Sequence, residues 1–232
     1  MAKLESSFTW DDAPKPYYQD DHVTIYHGDW RDVLPHVEAD VLVTDPPYGI
    51  DYRTPGPGGR SAYRPYGVKS IAGDKDTSER DAVIDAWNGP AMVFGSTVGA
   101  TVPANAVHVL TWAKPPDSGL QGAKAGFRRD TEWIFLLGEW PARRPLRSSV
   151  LRTKQGINSY LIRGGHPHTK PVGLMCELLE ACPPGVILDP FMGSGSTLRA
   201  AKDLGRKAIG IELEEKYCKL AADRMRQEGI FG

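Results

Sequence analysis

Two short stretches of this 232-residue chain place reactive side chains where a rigid turn would follow a buried strand. Residues 41–49 read VLVTDPPYG, an apolar run that delivers an acid into two prolines and a tyrosine. Each proline fixes its own φ and restricts the residue before it, so the turn is stiff. Pro46 and Pro47 also lack N–H groups, which leaves nearby carbonyls free to accept from a ligand. Asp45 and the Pro46 carbonyl can together accept both hydrogens of an exocyclic amine, and Tyr48 offers a flat face for a base to stack on. A base within a duplex reaches such a pocket only by swinging out of the stack.

The second stretch, residues 186–197, reads VILDPFMGSGST. A buried strand runs into a glycine turn that opens a helix, and ligands of open α/β sheets sit beyond the carboxyl ends of strands. Gly193 and Gly195 let backbone approach a ligand closely. Glu212, 23 positions after Asp189, ends the next strand, where an acid can take the hydroxyls of a ribose. That logic fits a dinucleotide and S-adenosylmethionine alike. Two details favour the second: the glycine pattern is G-S-G-S-T, not G-x-G-x-x-G, and the turn begins with an acid. Asp189 would repel a pyrophosphate but suit the ammonium of a methionine moiety.

Short apolar runs at 23–26, 40–43, 91–94, 107–112, 131–137, 185–188 and 207–211 predict strands. Helical spacing follows Pro171 (Leu174, Met175, Leu178, Leu179) and covers 197–204 and 214–227. Strands alternating with helices predict an α/β fold: a mostly parallel sheet flanked by helices on both faces. Residues 51–73 and 141–165 have no apolar period, and loops that long in a compact domain are usually functional or disordered.

Composition excludes several classes. No apolar run approaches the roughly 20 residues of a membrane span, and the N-terminus lacks the pattern of a secretory signal, so a cytoplasmic protein is expected. The three cysteines have no metal-ligand spacing. His166 and His168 are close, but no cluster completes a site, and no metal is expected. The net charge is -1, yet charge is segregated: ten acids and three bases in residues 1–50, seven bases and no acid in 142–170. One surface that meets a polyanion is the reading this suggests; a solvated loop is the alternative.

Taken together, these motifs resemble the DNA amino-methyltransferases, which methylate adenine at N6 or cytosine at N4. The catalytic pattern (D/N/S)PP(Y/F/W) matches Asp45, Pro46, Pro47 and Tyr48. DPFxGSGTT matches 189–197, with Ser196 where Thr is commoner. HPTxKP is similar to residues 166–171, the GD pair matches Gly28 and Asp29, and W-x-K matches Trp112 to Lys114. The catalytic motif precedes the cofactor motif, as in the circularly permuted β-type members, and the ending GRKAIGIELEEKYC resembles bacteriophage-encoded ones. The implied architecture is a single Rossmann-like methyltransferase domain over 1–232, in a bacterial or phage-infected cell, of the kind found in restriction–modification.

The resemblance implies S-adenosylmethionine as cofactor. Asp29 would contact its adenine end, and Glu212 its ribose. Thr169, Lys170, Asp189 and Gly193 would line the methionine end, and Phe191 would pack beside it. Ser194, Gly195, Ser196 and Thr197 would complete the turn, and Asp45 would border both substrates. Lys170 also suits the cofactor carboxylate on charge grounds alone. The implied reaction is direct in-line attack of the amine on the sulfonium methyl, with no covalent intermediate. An Asp-first motif in this family usually accompanies adenine. An Asn-first motif would have pointed to RNA or protein amides, and the intact motifs argue against a non-catalytic nucleic-acid-binding relative. The expected partner is double-stranded DNA, and family members that dimerise raise the expectation of a homodimer. The segment 141–165, with Arg143, Arg144, Arg147 and Arg152, falls where permuted members read their target. The loop 51–73, with Arg53, Arg60 and Arg64 among tyrosines, would act as a mobile DNA clamp; a plain surface loop is the alternative.

Overall fold

The structure, a computed structural model, describes residues 14–48, 76–97, 101–115, 125–142, 146–153 and 169–227. Nine strands form one sheet: β1 (Tyr18–Gln19), β2 (Val23–His27), β3 (Val41–Thr44), β4 (Ala91–Ser96), β5 (Ala106–Ala113), β6 (Thr131–Leu137), β7 (Val150–Arg152), β8 (Ile187–Asp189) and β9 (Ala208–Glu212). Their spatial order is β1-β2-β9-β8-β3-β4-β6-β5-β7. β2, β9, β8, β3 and β4 run parallel and form the centre. β6 is antiparallel to both of its neighbours, and β1 to β2.

The helices among the described residues are α1 (Trp30–Val33), α2 (Ser78–Ala86), α3 (Val172–Ala181), α4 (Ser196–Asp203) and α5 (Glu215–Arg226), with a 3-10 turn at Leu34–His36. Alternation along the strands builds two cores. Val41, Val43, Met92, Phe94 and Ile187 pack with Leu174, Leu178, Leu198 and Ala221 of α3, α4 and α5. Leu42, Ala91, Val93 and Leu188 pack on the other face with Trp30 and Val33 of α1 and Val83 and Ile84 of α2. The sheet is therefore sandwiched, which is why its central strands are apolar at consecutive positions rather than at alternate ones.

Topology brings distant motifs together. β3 lies beside β8, with Leu42 opposite Leu188, although 146 positions separate those residues. β2 lies beside β9, with His27 opposite Glu212. Consequently Asp29, Asp45, Asp189 and Glu212 all sit at the carboxyl ends of four neighbouring parallel strands.

The predicted strands and the three C-terminal helices are present, with ends displaced by one or two residues. The segment expected to be aperiodic at 141–165 contributes β7, which pairs with β5; of its three residues only Leu151 is buried, too little to register as a period. α1 and α2 had no sequence signal strong enough to read: α1 has only four residues, and α2 buries Arg80 alongside Val83 and Ile84. No helix among the described residues is long and apolar enough to cross a membrane.

Candidate active site

Asp45, at the end of β3, is one quarter exposed and lies within a charged cluster. Its Oδ1 accepts the Tyr48 hydroxyl at 2.5 Å, and its Oδ2 accepts the Lys170 ammonium at 2.6 Å. Lys170 lies two residues before the start of α3, so the packing of that helix on the sheet delivers the ammonium to the turn at residues 45–48. Its Nζ also lies 3.0 Å from the Tyr48 hydroxyl, 3.2 Å from Glu132 and 4.9 Å from the centre of the Phe94 ring. Glu132, near the start of β6, is held by Lys114 of the segment after β5 at 2.6 Å. Burial lowers the pKa of Lys170, but Asp45 and Glu132 more than offset it, so the ammonium stays charged. Burial raises Glu132, and Lys170 and Lys114 outweigh it in turn, which keeps the carboxylate ionised. Burial, then the charges of Asp45 and Glu132, push Tyr48 well above the ordinary phenol value, so it is a hydroxyl donor.

Asp189 is only 2% exposed. Its Oδ1 accepts from Thr44 at 2.7 Å and from the Phe191 N–H at 3.2 Å, and its Oδ2 accepts from Thr197 at 2.5 Å. Three of a carboxylate's roughly four acceptor sites are thus taken. Burial pushes Asp189 up to about 6, against the lowering by those hydrogen bonds. The Thr44 bond joins the end of β3 to the start of the glycine turn across 145 positions.

The rest of the glycine turn divides in two. Gly193, at φ +50°, has open space where a Cβ would point, and its N–H donates to Glu212 at 3.0 Å. Ser194 shares a hydrogen bond with Thr169 at 3.0 Å. Gly195 and Ser196 instead face α5: a Cβ on Gly195 would lie 2.9 Å from that of Ala221, and Ser196 accepts from Arg224. Glu212 also accepts the Glu214 N–H at 2.8 Å, and burial raises its pKa. Asp29 caps α1 by accepting the Arg31 N–H at 2.9 Å. Phe191 meets Trp30 edge-on, with ring centres 6.5 Å apart, and Arg31 covers Trp30 while pairing with Glu79. Open space at Gly193, flanked by the Phe191–Trp30 pair and two strand-end acids, suits a nucleoside with an amino-acid tail.

Sequence reasoning missed Glu132. No motif marks it, and only the antiparallel pairing of β6 brings it to the turn. Lys170 was expected at the cofactor carboxylate; among the described residues it meets Asp45, Tyr48, Glu132 and the Phe94 ring. Arg147 is exposed and paired with Glu180 at 3.1 Å, and Arg152 is exposed on β7. Arg53, Arg60, Arg64, Arg143, Arg144, His166 and His168 lie outside the described residues. No group of metal-ligating side chains occurs among the described ones.

The DNA methylase family of N6/N4 type matches residues 140–223. The chain is 30% identical to the putative methylase YubD of Escherichia coli K12, over 83% of this chain and 84% of that protein. The chain belongs to the N6/N4 DNA amino-methyltransferase family. A second relative, the type II methyltransferase M.ScaI of Streptomyces caespitosus, is 26% identical over 92% of this chain and 84% of that one. The solved PvuII cytosine-N4-specific DNA methyltransferase superposes with a TM-score of 0.66 at 17% identity, over 94% of this chain and 91% of that chain. The fold is therefore the Rossmann-like methyltransferase fold, with β3, which leads into residues 45–48, earlier in the chain than β8, which lies beside it and leads into the glycine turn. The solved complex of M1.HpyAVI with SAM superposes with a TM-score of 0.58 at 21% identity, over 88% of this chain and all of that one.

Proposed function

We propose that this amino-methyltransferase methylates the N6 amine of adenine in double-stranded DNA, at a base flipped into the turn at residues 45–48. The observation that carries the reading is the Thr44–Asp189 hydrogen bond, which fixes the acceptor turn against the cofactor turn. S-adenosylmethionine supplies an electrophilic methyl on a sulfonium. Phe191, Gly193 and Glu212 would hold it, with Asp29 at its adenine end and Ser194 and Thr169 at the other.

The chain's own part is positioning and electrostatics. An exocyclic amine is a weak nucleophile because its lone pair is delocalised into the ring. Asp45 and the Pro46 carbonyl accept its two hydrogens and draw the nitrogen toward tetrahedral geometry. Tyr48 stacks on the base, and Asp45 is the nearest group to receive the released proton. The Asp-first motif supports adenine over cytosine. Arg147 and Arg152, exposed at the β7 end of the sheet, suit phosphate contacts.

Duplex DNA incubated with methyl-labelled cofactor and digested to nucleosides tests the reading. Label in N6-methyladenine is expected. Label in N4-methylcytosine would correct the base, and absence of label in any DNA would sink the proposal.

A further inference from the structure

We propose that Glu132 is a positioning residue that takes the Tyr48 hydroxyl and the Lys170 ammonium from Asp45 when the target amine is held there. The inference rests on the reading of residues 45–48 as the amine-binding turn.

Both Asp45 oxygens are engaged within the protein, one by the Tyr48 hydroxyl at 2.5 Å and the other by Lys170 at 2.6 Å. A strong cationic donor on a carboxylate competes with a neutral amine for the same lone pairs. About two of the four acceptor sites of Asp45 stay open, but it accepts the amine more strongly once its present donors have moved elsewhere. Lys170 is nine-tenths buried, and a buried ammonium cannot simply be released, because an unpaired charge there is strongly unfavourable. Glu132 resolves the conflict. Its Oε2 lies 3.3 Å from the Tyr48 hydroxyl and 3.2 Å from Lys170 Nζ, so both donors already bridge the two carboxylates. Closing either gap by a few tenths of an ångström moves the donor from Asp45 to Glu132 with its charge still paired.

The remaining contacts keep Glu132 in place for this exchange. Lys114 holds Oε1 at 2.6 Å, leaving Oε2 for the incoming donors. Glu132 pairs in register with Trp112 on one side and Ser96 on the other, so its backbone is fixed in the sheet. Asp45, Glu132, Lys170 and Lys114 together are neutral. Replacing Glu132 by glutamine leaves one positive charge in excess, and Lys170 then closes more tightly on Asp45. The same backbone with a neutral side chain therefore holds the amine acceptor occupied.

Steady-state transfer to duplex DNA by Glu132→Gln, run beside wild type, is the test. Expected is a fall in kcat of about tenfold or more with cofactor affinity changed less than about twofold, the mark of an interaction that matters only once the base is bound. An active wild type matched within about twofold by Glu132→Gln overturns the role of Glu132 and leaves the function standing. An inactive wild type fails the functional reading itself. Should the variant not fold, a structure of wild type with duplex DNA and a non-transferable cofactor analogue decides. Lys170 and Tyr48 on Glu132, with Asp45 on the amine, supports the proposal; both donors still on Asp45 with the base in place overturns it.

Discussion

Asp45 and Asp189 end neighbouring parallel strands, and the protein treats them in opposite ways. Asp189 is sealed at 2% exposure, and its partners are two hydroxyls and a backbone N–H. Asp45 is one quarter exposed and is held by an ammonium and a phenol carried on long side chains. Short neutral partners on rigid backbone fix a carboxylate as part of the framework. Long charged partners shared with a second carboxylate leave one able to exchange them. On the proposed reading Asp189 builds the site and Asp45 works in it.

Removing the working aspartate should show the largest effect. Asp45→Ala is expected to lower methyl transfer by at least about 100-fold, the scale for losing one positioned polar group of a catalytic site. Cofactor affinity and thermal stability should stay near wild type, because Lys170 keeps Glu132 as its counter-ion. Single-turnover transfer beside calorimetric cofactor titration checks both halves. Activity that survives the change would remove Asp45 from the chemistry.

The framework aspartate should behave the other way. Asp189→Ala strands the Thr44 and Thr197 hydroxyls and the Phe191 N–H in the interior, and a loss of about 2–4 kcal/mol of stability is expected. Chemical denaturation measures it. A stability unchanged within about 0.5 kcal/mol would refute the framework role.

A pH experiment sharpens the same contrast. Burial raises Asp189 from an ordinary 3.8 to about 6, so the native state holds its proton more tightly than the unfolded chain. Its stabilising contribution is therefore present below about pH 4 and lost as pH rises to about 6, roughly 3 kcal/mol over that window. Asp189→Asn cannot titrate there. Relative to wild type its stability should rise between about pH 4 and 6 and then level off. A difference that is flat across that window would show that Asp189 ionises with no burial cost.

What the sequence made legible follows the range of each interaction. The turn at residues 45–48 and the glycine turn are local: proline, glycine and strand-end acids sit side by side, so their types alone state the geometry. The central strands were readable because burial on both faces makes them continuously apolar. Glu132 was not readable, since its role depends on β6 pairing antiparallel to β4 and β5. The protein partners of Lys170 were not readable for the same reason: its charge was evident, but which carboxylates of the chain it meets is decided by where α3 packs. β7 escaped notice because three residues with one buried side chain carry no period.

The smallest effects separate framework from working surface within one turn. Gly193 and Gly195 both have left-handed backbones, at φ +50° and +77°. An alanine at either costs about 1–2 kcal/mol in backbone strain. At Gly195 the new Cβ would also press on Ala221 at 2.9 Å, whereas at Gly193 it would meet nothing within 4 Å. Gly195→Ala should therefore lose more stability than Gly193→Ala, by about 1 kcal/mol. For cofactor affinity the order should reverse, because the methyl of Gly193→Ala projects into the space assigned to the cofactor. Paired urea denaturation and cofactor titration of the two variants test this. If Gly193→Ala binds S-adenosylmethionine as wild type does, that space is not the cofactor's, and Gly193 serves only the turn.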